Sequence, residues 1–468
     1  MTAPLADPAA PAPRVLFIAR SIAHISYYDS VLAALLARGA QVEIAFDYGW
    51  SKKWRGGDMA AVEEFQEAHP ELVVSWSVRR SDARRDRIFA RRELRSYRSY
   101  LTRPDTTPYY IDRWRNHLDD RWKARSEKAL YRAVLASRVS GAAMRIAEAT
   151  TAPDPGIVAF IRARAPDVVV VSPLNLRFSE ETDYVKAARK LGVPTALPVQ
   201  TWDNLSTKGL IQVAPDRLFV WNEHHLKDAV EIHGIAGDSI EIAGAPFFDK
   251  WFDAAAEVAS REDFCRQLGL DPKRRILLYL GSSRKVAANE VWFVEKLRRF
   301  LQTSQNAQLR GCQLLVRPHP ANAAIYEALS GEGVCVFPKG GELPETRDGF
   351  GQMRASFLHA EAAIGINTSG MIDAVLAGLP TFSMHIAQYA HTQSEAKHFR
   401  YLEEDDALYL SDDLTGLCES LIGLFDGEDP KAANRLAFAL KFARPRGLER
   451  SAGDVVAEGV LKLAERRR

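Results

Sequence analysis

The sequence predicts an α/β protein of two domains, each a parallel sheet with helices between successive strands. Three observations carry this. Short apolar runs rich in Val, Ile and Leu alternate along the chain with segments of helical periodicity. The runs at 15–19 and 42–46 flank a helical stretch, which makes a strand, a crossover helix and a parallel strand. The series then breaks at Gly244-Ala245-Pro246 and begins again near Arg275.

The elements follow in order. Residues 1–13 are Ala- and Pro-rich with no basic stretch ahead of an apolar one, so a floppy tail is expected and not a signal peptide. After the strand at 15–19, a helix is expected over 27–38, stopped by Gly39. Strands are expected at 42–46 and 72–78. Residues 79–132 differ, with 17 Lys and Arg against 8 Asp and Glu, and with Tyr97, Tyr100, Tyr109, Tyr110, Trp114, Trp122 and Tyr131 interleaved. A basic helical insertion over 79–150 is expected there. The sheet pattern resumes with strands at 167–171, 194–199, 217–221 and 240–243 and a helix at 182–191. The second series has strands at 275–280, 313–316, 362–366 and 380–384. Its helices are expected at 289–301 and from Ser369 or Thr368, as cap, to Ala377, closed by Gly378. A last helix is expected within 447–468.

Composition excludes several classes. Of 468 residues, 47% are hydrophobic and 26% charged, which argues against a disordered or fibrous chain. The net charge of +2 argues against electrostatic binding of nucleic acid, and no nucleic acid is expected as a partner. The four cysteines are dispersed, so neither a zinc clip nor a disulfide framework is expected, and a reducing compartment fits. No apolar run approaches the roughly 20 residues that span a bilayer. HExxH, Walker GxxxxGK[ST] and GxSxG motifs are absent, and the first turn, Ala19-Arg20-Ser21-Ile22-Ala23, lacks the GxGxxG of nicotinamide enzymes.

The informative loops all follow strands, where open α/β sheets bind ligands. Gly281-Ser282-Ser283-Arg284 offers backbone N–H groups, hydroxyls and a charge to an anion, or is an ordinary turn. Asn367-Thr368-Ser369-Gly370 opens a helix whose N-terminus attracts phosphate, with Asp373 one turn on to meet ribose hydroxyls; simple capping is the alternative. Arg317-Pro318-His319-Pro320 holds a guanidinium and an imidazole between prolines, a phosphate site or a rigid turn. In the first half, His24 follows the first strand and is a candidate general base. Asp203, in the loop Trp202 to Gly209, can orient such a base or belong to an Asx turn. The segment 79–132 is a candidate contact for anionic lipid, with a solvated helical face as the alternative.

Together these features resemble glycosyltransferases of the GT-B fold: two facing Rossmann-like domains over nearly the whole chain apart from 79–150. Arg317-Pro318-His319-Pro320 is similar to the Arg-x-His-Pro element of CDP-glycerol glycerophosphotransferases and capsule polysaccharide transferases. Asn367-Thr368-Ser369-Gly370 with Asp373 and Ala377-Gly378-Leu379-Pro380 resembles their nucleotide-phosphate helix. Gly244-Ala245-Pro246 with Asp249 is similar to the hinge element of UDP-N-acetylglucosamine 2-epimerases. The resemblance implies an acceptor domain over 14–245 and a nucleotide-donor domain over 246–446. It implies Arg317, His319, Asn367, Thr368, Ser369 and Gly370 on the donor diphosphate, Asp373 on the ribose and His24 as the catalytic base; the loop residues Gly281, Ser282, Ser283 and Arg284 are expected to join the diphosphate site, and Asp203 to hold His24. The expected reaction moves a sugar or polyol phosphate to a carbohydrate or lipid-linked acceptor, with inversion at the anomeric carbon if the donor is a sugar, without a metal and with no cofactor besides the nucleotide-activated donor. The expected location is the cytoplasm, including the inner face of the membrane. A non-hydrolysing nucleotide-sugar epimerase and a non-enzymatic nucleotide-sugar binding or membrane adaptor protein remain alternatives.

Overall fold

A computed structural model describes residues 11–51, 57–253, 258–342 and 344–467. The chain forms two compact units. One runs up to Phe247 and takes in the segment from Glu449 onward; the other is Phe248–Leu448.

The first unit holds seven strands: β1 (Arg14–Ala19), β2 (Gln41–Phe46), β3 (Val73–Trp76), β4 (Val168–Ser172), β5 (Thr195–Pro198), β6 (Arg217–Val220) and β7 (Ile240–Ile242). They pair in the order β3-β2-β1-β4-β5-β6-β7, all parallel. β1 pairs with β2 from Arg14↔Gln41 and with β4 from Val15↔Val168. β4 reads Val-Val-Val-Val-Ser and is wholly buried, as a central strand covered on both faces must be. The order reverses between β1 and β4, so a crevice opens at their carboxyl ends. Helix α1 (Ile25–Ala37) lays Tyr28, Val31, Leu32 and Leu35 on the sheet.

The expected basic insertion is helical: α2 (Arg85–Thr102), α3 (Pro108–Arg115), α4 (Asp120–Ser126), α5 (Ala129–Ala136) and α6 (Arg138–Ala149). Buried ion pairs fix it to α7 (Glu181–Lys190). Arg92 meets Glu148 and Asp183, each at 2.9 Å, Arg80 meets Asp183 at 2.8 Å, and Lys186 meets Glu148 at 3.3 Å. Glu148 and Asp183 each meet two cations, so removing Arg92 would leave both carboxylates buried with one partner instead of two. The interleaved aromatics do not form an outward belt. Tyr97, Tyr100, Tyr110 and Trp114 are buried, and Tyr100 stacks on Trp114 at 5.3 Å. Burial of these large rings inside the insertion outweighs any role for them at its surface.

The second unit holds β8 (Ile276–Leu280), β9 (Gln313–Arg317), β10 (Val334–Val336), β11 (Ala362–Gly365), β12 (Thr381–Met384) and β13 (Tyr409–Ser411), in the order β10-β9-β8-β11-β12-β13, all parallel. Helix α8 (Val291–Thr303) buries Phe293, Val294, Leu297 and Leu301 against it. The short helix α9 (Gly370–Leu376) follows β11. Here the reversal lies between β8 and β11. Strands β10 and β13, three residues each, lie at the sheet's edges and carry no sequence signal of their own.

The chain then rejoins the first unit through α10 (Ala452–Glu465), which buries Val455, Val456, Val460 and Leu463 in the same core as α1. Gly453 lies so close to α1 that a Cβ there would come within 2.6 Å of the Ser30 carbonyl carbon, so only glycine fits. Among the described residues, no helix is long and apolar enough to cross a membrane.

Candidate functional site

The second unit brings three of the singled-out loops to one place, because β9, β8 and β11 are adjacent and parallel. Gly281 ends β8 against the Arg317–His319 turn. A Cβ on it would stand 3.1 Å from the His319 amide nitrogen and 3.2 Å from the Arg317 carbonyl oxygen. Arg317 is half-buried, and one Nη donates to Ser356 Oγ at 3.0 Å. Burial lowers its pKa to about 10, with Asp373 and Glu342 opposing, so it stays cationic at neutral pH. The Ala321 N–H donates to His319 Nδ1 at 3.1 Å. The neutral imidazole therefore carries its hydrogen on Nε2, a donor for an anion, and burial holds its pKa below the usual value. Ser369 is exposed and Thr368 and Gly370 half-exposed at the start of α9.

Several expectations need correction. The Gly281 N–H is spent on the Arg317 carbonyl at 2.9 Å, and the Ser282 N–H donates to the Glu290 carboxylate. Glu290 is fully buried and also accepts from Tyr279 at 3.0 Å and Tyr326 at 2.9 Å. A carboxylate thus fills the turn that was expected to cradle phosphate, leaving Ser283 and the exposed Arg284 to face a ligand. The Ser282 hydroxyl is buried beside the same Glu290 carboxyl. Asn367 is an anchor and not a ligand group: it is buried and donates to the Thr392 carbonyl at 2.6 Å. Ser369 makes no side-chain cap, and Thr368 Oγ1 receives the Gly370 N–H at a long 3.4 Å. Asp373 is 3% exposed, and its Oδ1 accepts from Trp251 Nε1 at 2.6 Å. Burial raises its pKa to about 6, against the opposing pulls of Trp251, Lys250 and Arg317. A ribose hydroxyl would reach it only by displacing this packing.

In the first unit, His24 closes the 3-10 turn Ile22–His24 immediately after β1, beside the reversal point. It is 9% exposed and its Nδ1 has no partner. Burial, then the charge of Arg20, lowers its pKa to about 3. Arg20 is itself clamped to Glu181 at 2.8 Å in a buried pair. The carboxylate of Asp203 accepts from Thr201 at 2.9 Å and Thr207 at 3.0 Å and pairs with Lys208 at 2.7 Å. These bonds shape its own loop, and the charge that acts on His24 is Arg20, so the expected pairing of Asp203 with His24 is replaced by a loop anchor. The insertion secures this loop too. Tyr100 donates to the Lys208 carbonyl at 2.8 Å, Arg103 to Ser206 at 2.6 Å and Trp114 to Thr207 at 3.3 Å. Glu290, Trp251, Ser356 and Arg20 escaped the sequence reading. Of these only Arg20 carried a signal, its place in the loop after the first strand. Among the described residues, no three of His, Cys, Asp and Glu group as metal ligands.

Both sheets run in the order expected of doubly wound dinucleotide-binding domains, and solved structures share the arrangement. The chain is similar to a Listeria monocytogenes protein assigned as a UDP-N-acetylglucosamine 2-epimerase, with TM-score 0.55, 12% identity, and 96% of this chain and 95% of that one covered. It is similar to a glycosyltransferase from Rickettsia africae, with TM-score 0.52, 9% identity and coverage of 98% and 99%. It is also similar to the Neisseria meningitidis UDP-GlcNAc 2-epimerase bound to UDP-GlcNAc, with TM-score 0.53, 10% identity and coverage of 96% and 100%. The chain has the GT-B fold. In this GT-B chain the sites just described lie at the carboxyl ends of the two sheets. No family model matches the sequence, and no curated protein matches it.

Proposed function

We propose that the protein is a glycosyltransferase that moves a sugar, or a polyol phosphate, from a nucleotide-activated donor to an acceptor hydroxyl in surface polysaccharide or glycolipid synthesis. The observation that carries this is the convergence of Arg317, the His319 Nε2–H and the Thr368-Ser369-Gly370 turn at the β8/β11 reversal. Each is a donor or cation, and what they share as a target is a diphosphate. Ser283 and Arg284 complete the set. Asp373 acts from behind, as a positioning group for Arg317 and Trp251. Charge that develops on the departing nucleotide is stabilised by these fixed donors, without a metal. His24, neutral in the fold, takes the acceptor proton as the hydroxyl oxygen attacks and the nucleotide leaves; where the donor is a sugar, its anomeric carbon inverts. Arg20 and Glu181 set the field around that imidazole.

The likeness to the Neisseria protein, which binds UDP-GlcNAc, favours epimerisation as a second reading. Incubation with UDP-GlcNAc and no acceptor distinguishes the two by NMR: an epimerase yields the C2 epimer, and a transferase does not. The first test of the proposal is a thermal-shift screen against UDP, GDP, CDP, CMP, dTDP and ADP. One of these should stabilise the native protein, by about 2.7 kcal/mol at 100 times its dissociation constant. The shift should vanish in Arg317→Ala and persist in His24→Ala, while His24→Ala abolishes transfer. A flat response to all six would overturn the reading.

A further inference from the structure

We propose that the outer faces of α5 and α6 form a docking surface for an anionic lipid bilayer. The three most exposed large apolar side chains among the described residues are Val139 at 80%, Leu130 at 78% and Ile146 at 63%, and all lie on these two consecutive helices with Val134 at 58%. Their spacing makes two stripes: Leu130 and Val134 four apart on α5, and Val139 and Ile146 seven apart on α6 with the exposed Ala143 between them. Side chains this apolar and this exposed cost solvation in water unless something covers them.

Charge selects what covers them. Residues 128–147 contain Lys128, Arg132, Arg138 and Arg145 and no Asp or Glu. Among the described residues none of these four joins an ion pair. The acid that follows, Glu148, is buried and already neutralised by Arg92 and Lys186. Nearby, Trp122 stacks on Tyr131 at 6.3 Å, with Arg121 and Arg125 over its ring at 5.2 and 5.0 Å. Arg138 and Arg145 each precede a stripe residue on α6 by one position, so they edge that stripe, and an apolar stripe edged by cations near a half-buried Trp matches the boundary between headgroups and acyl chains. A second copy does not fit as well, because a twofold contact through α6 would set Arg138 and Arg145 against the same two cations of the other copy. The surface lies on the membrane instead of crossing it, since each helix spans only a few turns.

The docking does not depend on the transferase reading; its use, presenting a lipid-linked acceptor, does. The insertion that carries the stripes also holds the 203–209 loop at the carboxyl end of β5.

The test is co-sedimentation of the full chain with phosphatidylcholine vesicles, with and without about one-third phosphatidylglycerol. The wild type should bind the anionic vesicles at least about tenfold better than the neutral ones and lose that preference near 0.5 M salt. The combined variant Leu130→Ser, Val139→Ser, Ile146→Ser and the variant Arg138→Glu, Arg145→Glu should each lose binding by about tenfold or more. Thermal midpoints and nucleotide-induced shifts should stay those of the wild type, which separates a docking failure from a failure of the transferase reading. Binding left intact in both variants would overturn the surface, as would absence of binding to anionic vesicles. A dimer in sedimentation velocity that the apolar variant breaks, without vesicle binding, would assign the face to a second copy and overturn the lipid.

Discussion

Asp373 and His24 are both buried titratable groups, and burial moves them in opposite directions. Asp373 is raised to about 6, so the native state holds its proton more tightly than the unfolded chain does. Its contribution to stability therefore falls as pH rises from about 4 to about 6. Asp373→Asn keeps an acceptor for Trp251 and removes the buried charge. It should raise stability at pH 7.5 by up to roughly 3 kcal/mol and change little at pH 4, as urea midpoints at the two pH values would show. His24, lowered to about 3, binds its proton more weakly in the native state. Its contribution is whole above about 6.5 and is lost as pH falls from there toward 3. His24→Ala should flatten that part of the acid-denaturation curve. In the wild type, kcat/KM should show no acid limb near 6.5, and the alanine variant should lose about a hundredfold or more in rate. At this scale His24, Arg317 and His319 stood out because each lies at or just beyond the end of a strand. The Trp251 partner of Asp373 was not, since no local pattern ties residues 122 apart. Glu290 was equally hidden: it precedes a helix and resembles an ordinary first-turn acid.

The insertion behaves as a clamp as well as a surface. Its buried arginines spend their charge on Glu148 and Asp183, and its buried rings spend their polar atoms on the 203–209 loop. Tyr100→Phe, which removes the bond to Lys208, should cost about 1 kcal/mol. Arg92→Met should cost about 3–5 kcal/mol, because Glu148 loses its main partner and Asp183 one of two. Chemical denaturation of the two variants checks both figures. Net charge and aromatic content marked this segment as separate in the sequence, and helical periodicity marked its class. Which rings turn inward was not legible, because α2 faces α3 on one side and α7 on another, and amphipathicity of a single helix cannot rank two buried faces. The same limit hid β10 and β13, whose three residues are too few for a period to show.

At the scale of the molecule, alternation of strands and helices told the fold class, and the break at Gly244-Ala245-Pro246 marked where the series restarts. It did not tell that α10 returns to the first core. A chain truncated before Glu449 should expose the α1 face that Val455, Val456, Val460 and Leu463 cover. Hydrogen exchange should then rise in β1, β2 and α1 and stay unchanged in β8, β9 and β11. This return has a temporal side. On the ribosome, the first unit emerges with its α1 face bare and stays so while the 201 residues of Phe248–Leu448 are made. At typical elongation rates that interval is roughly 10–40 s. During it the nascent first unit is an unsealed apolar slab, a client for a chaperone, while the second unit can mature behind it. The order of synthesis and the order of completion are thus reversed.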